Sequence, residues 1–213
     1  MRHRGARVVE PGEEAHSYAC AELCKSLNGL VAEEGLIQVE EVVNAEMSAC
    51  FTAKLAAMGG RANERWLWHG TTAESAKKIV ANGFNRSFCG ANGTVYGEGV
   101  YYASSASLSM KYARPDPNGR QYIFLCSVLC GRFTQGARGM KEPPALDPSR
   151  AGEVSEACPV AFSAEEAADG CVLYDSVVDR MDRAPGIVVV FNDVQAVPRF
   201  LLTVDGSQGS PVL

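Results

Sequence analysis

With 213 residues, of which 46% are hydrophobic and 21% are charged, the chain is long enough to bury one substantial core and has a globular composition. Its formal net charge of −5 argues against a broad electrostatic grip on nucleic acid, while a local basic patch stays open. No apolar run is long enough to span a membrane and no apolar segment follows the basic start, so we expect an intracellular protein of the cytoplasm or nucleus.

The hydrophobic periodicity predicts a strand-rich α+β domain. Residues 1–12 and 206–213 are expected to be disordered, and residues 13–205 are expected to form one domain. Helices are predicted at 16–27, 45–58, 72–82 and 105–113, and strands at 36–44, 65–69, 100–103, 121–131, 187–192 and 200–204. Residues 134–172, rich in proline, glycine and acidic side chains, are expected to be irregular.

Capping residues set the boundaries of two of these helices. Asn44 fits an N-cap, and Gly59 with Gly60 stops the helix that follows it. The spacing from Thr71 to Glu74 matches a capping box, so the next helix is expected to begin there and to end at Gly83.

The eight cysteines are interpreted as reduced and mostly buried thiols. A chain of this size with ample apolar residues does not need disulfides. The pairs Cys20/Cys24 and Cys126/Cys130 have a four-residue step, whereas zinc sites use tighter pairs. We therefore expect no metal site.

Two short segments carry groups that can hold a planar carboxamide. His69-Gly70-Thr71 follows the apolar run 66–68 and offers an imidazole, an unhindered backbone and a hydroxyl. The glycine-flanked turn and aromatic strand at 97–103 are followed by Ser109 and Tyr112, which add a hydroxyl and a ring on which a planar group can stack. This combination points to nicotinamide, and so to NAD.

The same residues carry a resemblance to a known family. The chain resembles the ADP-ribosyltransferase domain of the poly(ADP-ribose) polymerase family, and most of all its mono-ADP-ribosylating branch. The resemblance covers about residues 30 to 204, and five blocks occur in family order: WLWHGTT at 66–72, NGFNRSFCGANGTVYGEGVYYA at 82–103, SLSMKYA at 107–113, YDSVVD at 174–179 and IVVVFNDVQAVPRFLLT at 187–203. It implies split antiparallel sheets with flanking helices, NAD as the co-substrate and no metal.

The resemblance also implies roles for single residues. It places His69 on the adenosine ribose hydroxyls, with help from Thr71, and the backbone of Gly70 on the nicotinamide carboxamide. Taken alone, His69 would be read as a structural histidine; its neighbours favour contact with the donor.

On the nicotinamide side the resemblance places Tyr101 beneath the ring, Tyr112 against it and Ser109 on the carboxamide. Ala103, at the end of the strand that holds Tyr101, is also expected to bind the donor. Both tyrosines are otherwise ordinary packing aromatics, and Ser109 is otherwise a residue of a helix surface. Tyr102 is expected in the core rather than in the site.

The glycine-rich loop at 85–99 lacks the P-loop pattern, so phosphate cradling of that kind is not expected. In the family this region covers the donor. The resemblance brings Arg86 to the pyrophosphate or adenine end and Tyr96 over the dinucleotide; a plain solvent loop is the competing interpretation for both.

One departure from the family concerns the strand at 187–191. Polymerising members have a glutamate at its start, where this chain has Ile187, and residues 184–191 hold no carboxylate at all. The resemblance thus implies a catalytic triad of His69, Tyr101 and Ile187. Chain growth then lacks a group that polarises the attacking ribose hydroxyl, whereas one ADP-ribose unit can still pass to an acceptor that brings its own carboxylate.

These observations predict a protein mono-ADP-ribosyltransferase that acts by substrate-assisted chemistry. The alternative is a catalytically inactive module that binds NAD or ADP-ribose and serves as an interaction domain. Acceptors are expected on proteins, nucleic-acid ends remain open, and automodification would draw on an acidic segment at 147–172, with its side chains Glu153, Glu156, Glu165, Glu166 and Asp169. A solvated loop is the competing interpretation of that segment.

Overall fold

The computed structural model describes residues 4–26, 35–88, 94–156 and 158–206. Within them the strands are β1 (Arg4–Val8), β2 (Leu36–Asn44), β3 (Glu64–Thr71), β4 (Val100–Ala103), β5 (Arg120–Leu129), β6 (Phe133–Gln135), β7 (Ser176–Val178), β8 (Ile187–Val190) and β9 (Ala196–Asp205). The helices are α1 (Glu14–Ser26), α2 (Ala45–Met58), α3 (Ala73–Asn82), α4 (Ala106–Met110) and α5 (Ala164–Ala167).

The strands form one sheet with a narrow joint in its middle. Its order is β1-β2-β9-β5-β3-β4-β8-β7-β6, and every pairing is antiparallel except that of β6 with β7. β3 pairs with β4 only where Trp68 lies opposite Ala103, while β3 and β5 pair over eight positions. The predicted α+β class is confirmed, and the expected split of the sheet corresponds to this joint.

Alternate side chains of the central strands build a core on each face of the sheet. Phe124 and Leu67 belong to one buried cluster with Phe84 and Tyr102. Ile123 and Trp68 belong to the other cluster, which α1 and α4 cover. Because successive strand residues point to opposite faces, the continuous apolar run of β5 supplies both clusters. Tyr102 is 1% exposed, as the prediction of a core residue requires.

Local capping chemistry explains the elements whose bounds were predicted correctly. The Asn44 side chain accepts a hydrogen bond from the Met47 backbone at 3.1 Å, and Gly59 donates to the Leu55 carbonyl with φ at +55°. A residue without Cβ suits that left-handed region. β2, α2 and β4 therefore begin and end where the sequence indicates.

The predicted N-cap of α3 is wrong by one residue. Thr72, not Thr71, accepts the hydrogen bond from Ser75, at 3.2 Å. Thr71 instead ends β3, where it pairs with Tyr122 and is buried. Both threonines can cap a helix, and the strand pairing decides between them.

Several other predicted bounds differ from the structure; α4, for example, ends at Met110 rather than at residue 113. Residues 4–8 form the edge strand β1 rather than a disordered start, because β2 supplies a complete antiparallel partner. β7 at Ser176–Val178 was not predicted. β9 begins at 196 rather than 200 and runs through Pro198, which is tolerated because β2 pairs only with the later part of β9 and the β5–β9 register shifts beside it.

The segment at 134–172 contains more order than expected. α5 has a capping box formed by Ser163 and Glu166, and Glu166 also pairs with Arg132 at 3.1 Å. The Arg132 side chain is 3% exposed and forms a second ion pair with Asp175, also at 3.1 Å. A buried guanidinium with two carboxylate partners therefore fastens the acidic segment to the sheet.

All seven cysteines in the described ranges are free thiols, as predicted. The expectation that most are buried is wrong: of the seven, only Cys126 in β5 and Cys130 just after its end are buried, while Cys50 and Cys171 are exposed. Within the same ranges no cluster of three or more His, Cys, Asp or Glu could hold a metal ion. No helix there is long and apolar enough to cross a membrane.

Candidate functional site

A cavity of about 610 Å³ opens at the joint between the two parts of the sheet. Cavities of this size bind small molecules and cofactors. Beyond the Trp68–Ala103 pair the strands β3 and β4 separate, so one edge of β3 is open over its last three residues. The cavity lies there, and α3 and α4 form two further walls.

Nine of the ten predicted site residues line this cavity. They come from three strands, one helix and two connecting segments: His69, Gly70, Thr71, Tyr96, Tyr101, Ala103, Ser109, Tyr112 and Ile187. Tyr102 also lines the cavity, although it belongs mainly to the core.

His69 is held as a neutral imidazole with one nitrogen available. Its Nδ1 atom lies 2.9 Å from the Tyr101 carbonyl oxygen, which can only accept, so Nδ1 carries the proton and donates. Phe84 packs against the ring edge-on, with 5.1 Å between ring centroids. Burial lowers the pKa of His69, and the hydrogen bond to Tyr101 opposes this shift. Nε2 therefore remains as an acceptor for a hydroxyl.

The hydroxyl of Tyr101 organises the turn in front of β4. It donates to the Gly97 carbonyl at 2.8 Å and accepts from the Tyr96 backbone at 2.9 Å. Tyr101 packs with Ile187 in one apolar cluster, in which Tyr96 also takes part. The hydroxyl is thus committed to the turn, and Tyr101 also lines the cavity.

α4 approaches β3 so closely at position 70 that this position requires a glycine. A Cβ at this position would overlap the Ser109 carbonyl oxygen and would lie 3.3 Å from the Ala113 nitrogen. Ser109 is 3% exposed, so its backbone is fixed against β3. The absence of a side chain at Gly70 brings Ser109 to the wall of the cavity.

The remaining predicted residues differ in exposure. Thr71 and Ala103 are buried at the base of the cavity, with 8% and 6% exposure. Tyr112 is 40% exposed at the rim, beside α4. An aromatic side chain with that exposure at a cavity mouth is placed to cover a planar ligand.

Ile187 lies at the first position of β8, opposite Ala103. The carboxylate of Asp179 fixes this strand start: its Oδ1 atom accepts from the backbones of Gly186 at 2.9 Å and Ile187 at 3.0 Å. Its Oδ2 atom pairs with Arg180 at 2.6 Å, and the Asp179 side chain is 3% exposed. This carboxylate is fully occupied and lies behind the cavity wall, not among the lining residues.

The structure does not bring Arg86 to the cavity. Its guanidinium donates to the carbonyl oxygens of Lys141 at 2.9 Å and Phe191 at 3.3 Å. Its backbone donates to Asp193, at 2.9 Å. Arg86 therefore ties the loop to the end of β8, and the neighbouring Asn85 lines the cavity in its place.

Sequence reasoning missed the wall that α3 contributes. Ser75, Lys78, Ile79 and Asn82 all line the cavity. Their spacing of three and four residues marks one face of a helix, which is the signal that could have identified them. The five sequence blocks that carry the family resemblance leave out residues 73–81, which form most of α3.

Residues 20–206 match the family model described as the poly(ADP-ribose) polymerase catalytic domain. Among curated proteins, the chain is similar to protein mono-ADP-ribosyltransferase PARP10 of Mus musculus, with 42% identity over 143 residues, which are 66% of this chain and 13% of the relative. It is also similar to protein mono-ADP-ribosyltransferase PARP14 of Homo sapiens, with 34% identity over 172 residues, covering 78% of this chain and 8% of the relative.

A third relative is protein mono-ADP-ribosyltransferase PARP12 of Mus musculus, with 33% identity over 153 residues, 72% of this chain and 18% of the relative. The chain thus spans less than a fifth of the length of these three relatives. The matched part contains the entire cavity described above.

Proposed function

Because the chain belongs to the poly(ADP-ribose) polymerase catalytic domain family, we propose that it transfers a single ADP-ribose unit from NAD to a protein side chain and releases nicotinamide. The relatives described above are named mono-ADP-ribosyltransferases, which supports this activity. The observation that carries the proposal is the cavity at the joint of the sheet, with His69, Tyr101 and Ile187 on its walls.

The donor set fits NAD as the co-substrate. His69 offers Nε2 to a ribose hydroxyl, and the open edge of β3 offers backbone groups at Gly70 to a carboxamide. Tyr101 and Tyr112 supply ring faces for a nicotinamide. Each contact orients the dinucleotide so that its glycosidic bond faces the acceptor.

The transfer exchanges one bond for another at the anomeric carbon of the nicotinamide ribose. The carbon–nitrogen bond breaks and its electron pair leaves with the ring, so the pyridinium becomes neutral nicotinamide. An acceptor carboxylate forms the new carbon–oxygen bond, and no proton has to be removed from it. Holding the carboxamide while the sugar becomes cationic is the contribution of this site.

The side chain of Ile187 explains why the product is expected to stop at one unit. Chain growth requires a ribose hydroxyl to attack, and a carboxylate at this position, as in polymerising members of the family, would polarise that hydroxyl. Among the described lining residues the one carboxylate belongs to Asp193, which follows β8 at its other end, roughly 10 Å or more along the strand. Asp193 also accepts from the Arg86 backbone.

The proposal is tested by incubating the chain with a tagged NAD and measuring intact mass, with the chain itself and a mixed protein lysate as acceptors. We expect additions of single ADP-ribose units. His69→Ala should abolish them, and His16→Ala, which replaces a histidine of α1 away from the cavity, should not. Long chains on single sites would contradict the argument from Ile187. Binding of ADP-ribose without any labelling would favour the inactive module.

The same experiment addresses automodification within the acidic segment. Glu166 is committed to Arg132 and Ser163, and Glu153 is paired with Arg150 at 2.8 Å. Glu156 and Glu165 are exposed. If the chain labels itself here, peptide mapping should find the modification on Glu156 or Glu165 rather than on Glu166, whose carboxylate is held by Arg132.

A further inference from the structure

The wall that α3 contributes carries a positive charge, which comes from Lys78. Lys78 lines the cavity, and among the described lining residues it is the only lysine or arginine. The only acidic side chain in that set belongs to Asp193. His69 adds no charge near neutral pH, because burial lowers its pKa.

A dinucleotide brings two negative charges into this cavity through its pyrophosphate. Basic side chains and backbone N–H groups are the usual partners of such a group. Arg86, the one arginine expected there, points its guanidinium to Lys141 and Phe191 instead. Among the described lining residues, Lys78 is therefore the basic side chain that can neutralise the phosphates.

In the structure the Lys78 ammonium lies 2.7 Å from the Glu74 carboxylate, one helical turn earlier. The two side chains are 61% and 80% exposed. A pair this exposed is weak, so a doubly charged ligand competes with it readily.

We propose that Lys78 binds the pyrophosphate of the ADP-ribose donor, and that the Lys78 ammonium pairs with the Glu74 carboxylate when the cavity contains no dinucleotide. The proposal deepens the transferase function and rests on it. Lys78 acts by positioning the donor, and the exchange of partners from Glu74 to phosphate moves no proton and breaks no covalent bond.

The competing explanation is that the ion pair only stabilises α3. The neighbouring Lys77 separates the two explanations, because it lies on the same exposed helix with the same charge but does not line the cavity. Lys77→Gln removes the same charge as Lys78→Gln, so any long-range effect on an anionic ligand is shared by both variants.

The test measures binding of two probes by calorimetry. ADP-ribose carries the pyrophosphate, and 3-aminobenzamide mimics nicotinamide without any phosphate. We expect Lys78→Gln to weaken ADP-ribose binding about threefold to fivefold and to leave 3-aminobenzamide unchanged, while Lys77→Gln changes neither. The difference should largely vanish at about 1 M salt, where exposed charges are screened within ~3 Å.

Glu74→Gln should act in the opposite direction. Freeing the lysine should tighten ADP-ribose binding about twofold. In a Lys78→Gln background the same change should have no effect, so the two substitutions form a double-mutant cycle. Equal tightening in both backgrounds would show that Glu74 merely repels the ligand, and would overturn the competition between Glu74 and phosphate.

The remaining outcomes test the role of Lys78 and the proposed function separately. Equal loss of ADP-ribose binding in the Lys77 and Lys78 variants, or no loss in either, overturns the proposal. If the unmodified chain binds 3-aminobenzamide but the Lys78 variant binds ADP-ribose normally, the transferase function survives and the role of Lys78 does not. If the unmodified chain binds neither probe, the proposed function itself fails.

Discussion

The imidazole of His69 and the backbone carbonyl of Tyr101 lie 2.9 Å apart, although 32 positions separate the two residues in the chain. One residue belongs to β3 and the other to β4, and their contact lies where the two strands separate. Because the carbonyl can only accept, this contact selects the tautomer protonated on Nδ1. It also joins β3 and β4, which both line the cavity.

The pH dependence of donor binding follows from that contact. Burial lowers the pKa of His69, and the Tyr101 carbonyl opposes the shift only in part. ADP-ribose affinity should stay constant above about pH 6.5, the ordinary value for histidine, and should fall only at lower pH, when Nε2 is protonated and can no longer accept. NMR titration of the imidazole gives the midpoint directly.

The free energy of unfolding should also decrease as the pH falls below about 6.5. Below about pH 6.5 the unfolded chain binds a proton at this residue while the folded chain does not, so the unfolded state gains. The contribution of His69 is therefore fully present above that pH and is lost as the pH falls toward the folded pKa. Urea unfolding of the unmodified chain and of His69→Gln isolates it. A midpoint above the ordinary histidine value would contradict the buried, neutral ring.

Replacing Tyr101 with phenylalanine should separate the ring from its hydroxyl. The ring face is kept, but the Tyr96 N–H and the Gly97 carbonyl lose their partner, so we expect a loss of about 1–2 kcal/mol in unfolding free energy. Since Tyr96 lines the cavity, 3-aminobenzamide should also bind several-fold more weakly.

Tyr122→Phe is the matched control for that variant. It removes a hydroxyl that donates to Asp116 at 2.9 Å, away from the cavity. It should cost about 1 kcal/mol and leave ligand affinity unchanged. Equal effects of the two variants on ligand binding would show that the turn at Tyr96 does not shape the site.

The sequence predicted those parts of the fold whose boundaries depend on local chemistry. Asn44 caps α2 and Gly59 ends it through contacts within a few residues, so their positions could be read directly. β1 could not be predicted, because residues 4–8 become a strand only through pairing with β2, more than 30 positions later. The choice between Thr71 and Thr72 as the N-cap likewise depended on Tyr122 across the sheet.

The site residues could be predicted where the residue type itself indicates a chemical role. His69, Gly70 and the tyrosines stand out in sequence, and all of them reach the cavity. Lys78 does not stand out in sequence. A lysine that forms an ion pair with a glutamate four residues earlier, as Lys78 does with Glu74, is typical of any exposed helix. Arg86 shows the converse: the family resemblance placed it at the pyrophosphate or adenine end of the donor, while its guanidinium donates to the carbonyl oxygens of Lys141 and Phe191.

Asp179 is expected to position Ile187 without contacting the donor. Asp179→Ala leaves the Gly186 and Ile187 N–H groups without their acceptor in a nearly buried place, so we expect a loss of about 2–3 kcal/mol in urea unfolding. Because Ile187 lies on the cavity wall, transfer should slow as well, with a larger effect on kcat than on KM for NAD.

Asp182→Ala, in the exposed connection before β8, is the control for Asp179 and should change unfolding by less than about 0.5 kcal/mol. A kcat unaffected by Asp179→Ala, despite the loss of stability, would limit Asp179 to a purely structural role.

Gly70→Ala should be the most damaging single methyl addition to the site. The new Cβ overlaps the Ser109 carbonyl oxygen and lies 2.7 Å from its carbon, and backbone cannot move aside as a side-chain end can. We expect a loss of about 3 kcal/mol and, because α4 must shift, weaker binding of 3-aminobenzamide. Gly5→Ala in β1 is the matched control: nothing lies within 4 Å of its Cβ, so stability should change by about 0.5 kcal/mol or less. A Gly70→Ala chain as stable as the Gly5→Ala chain would mean that α4 does not approach β3 this closely, and that Ser109 is not fixed at the cavity wall.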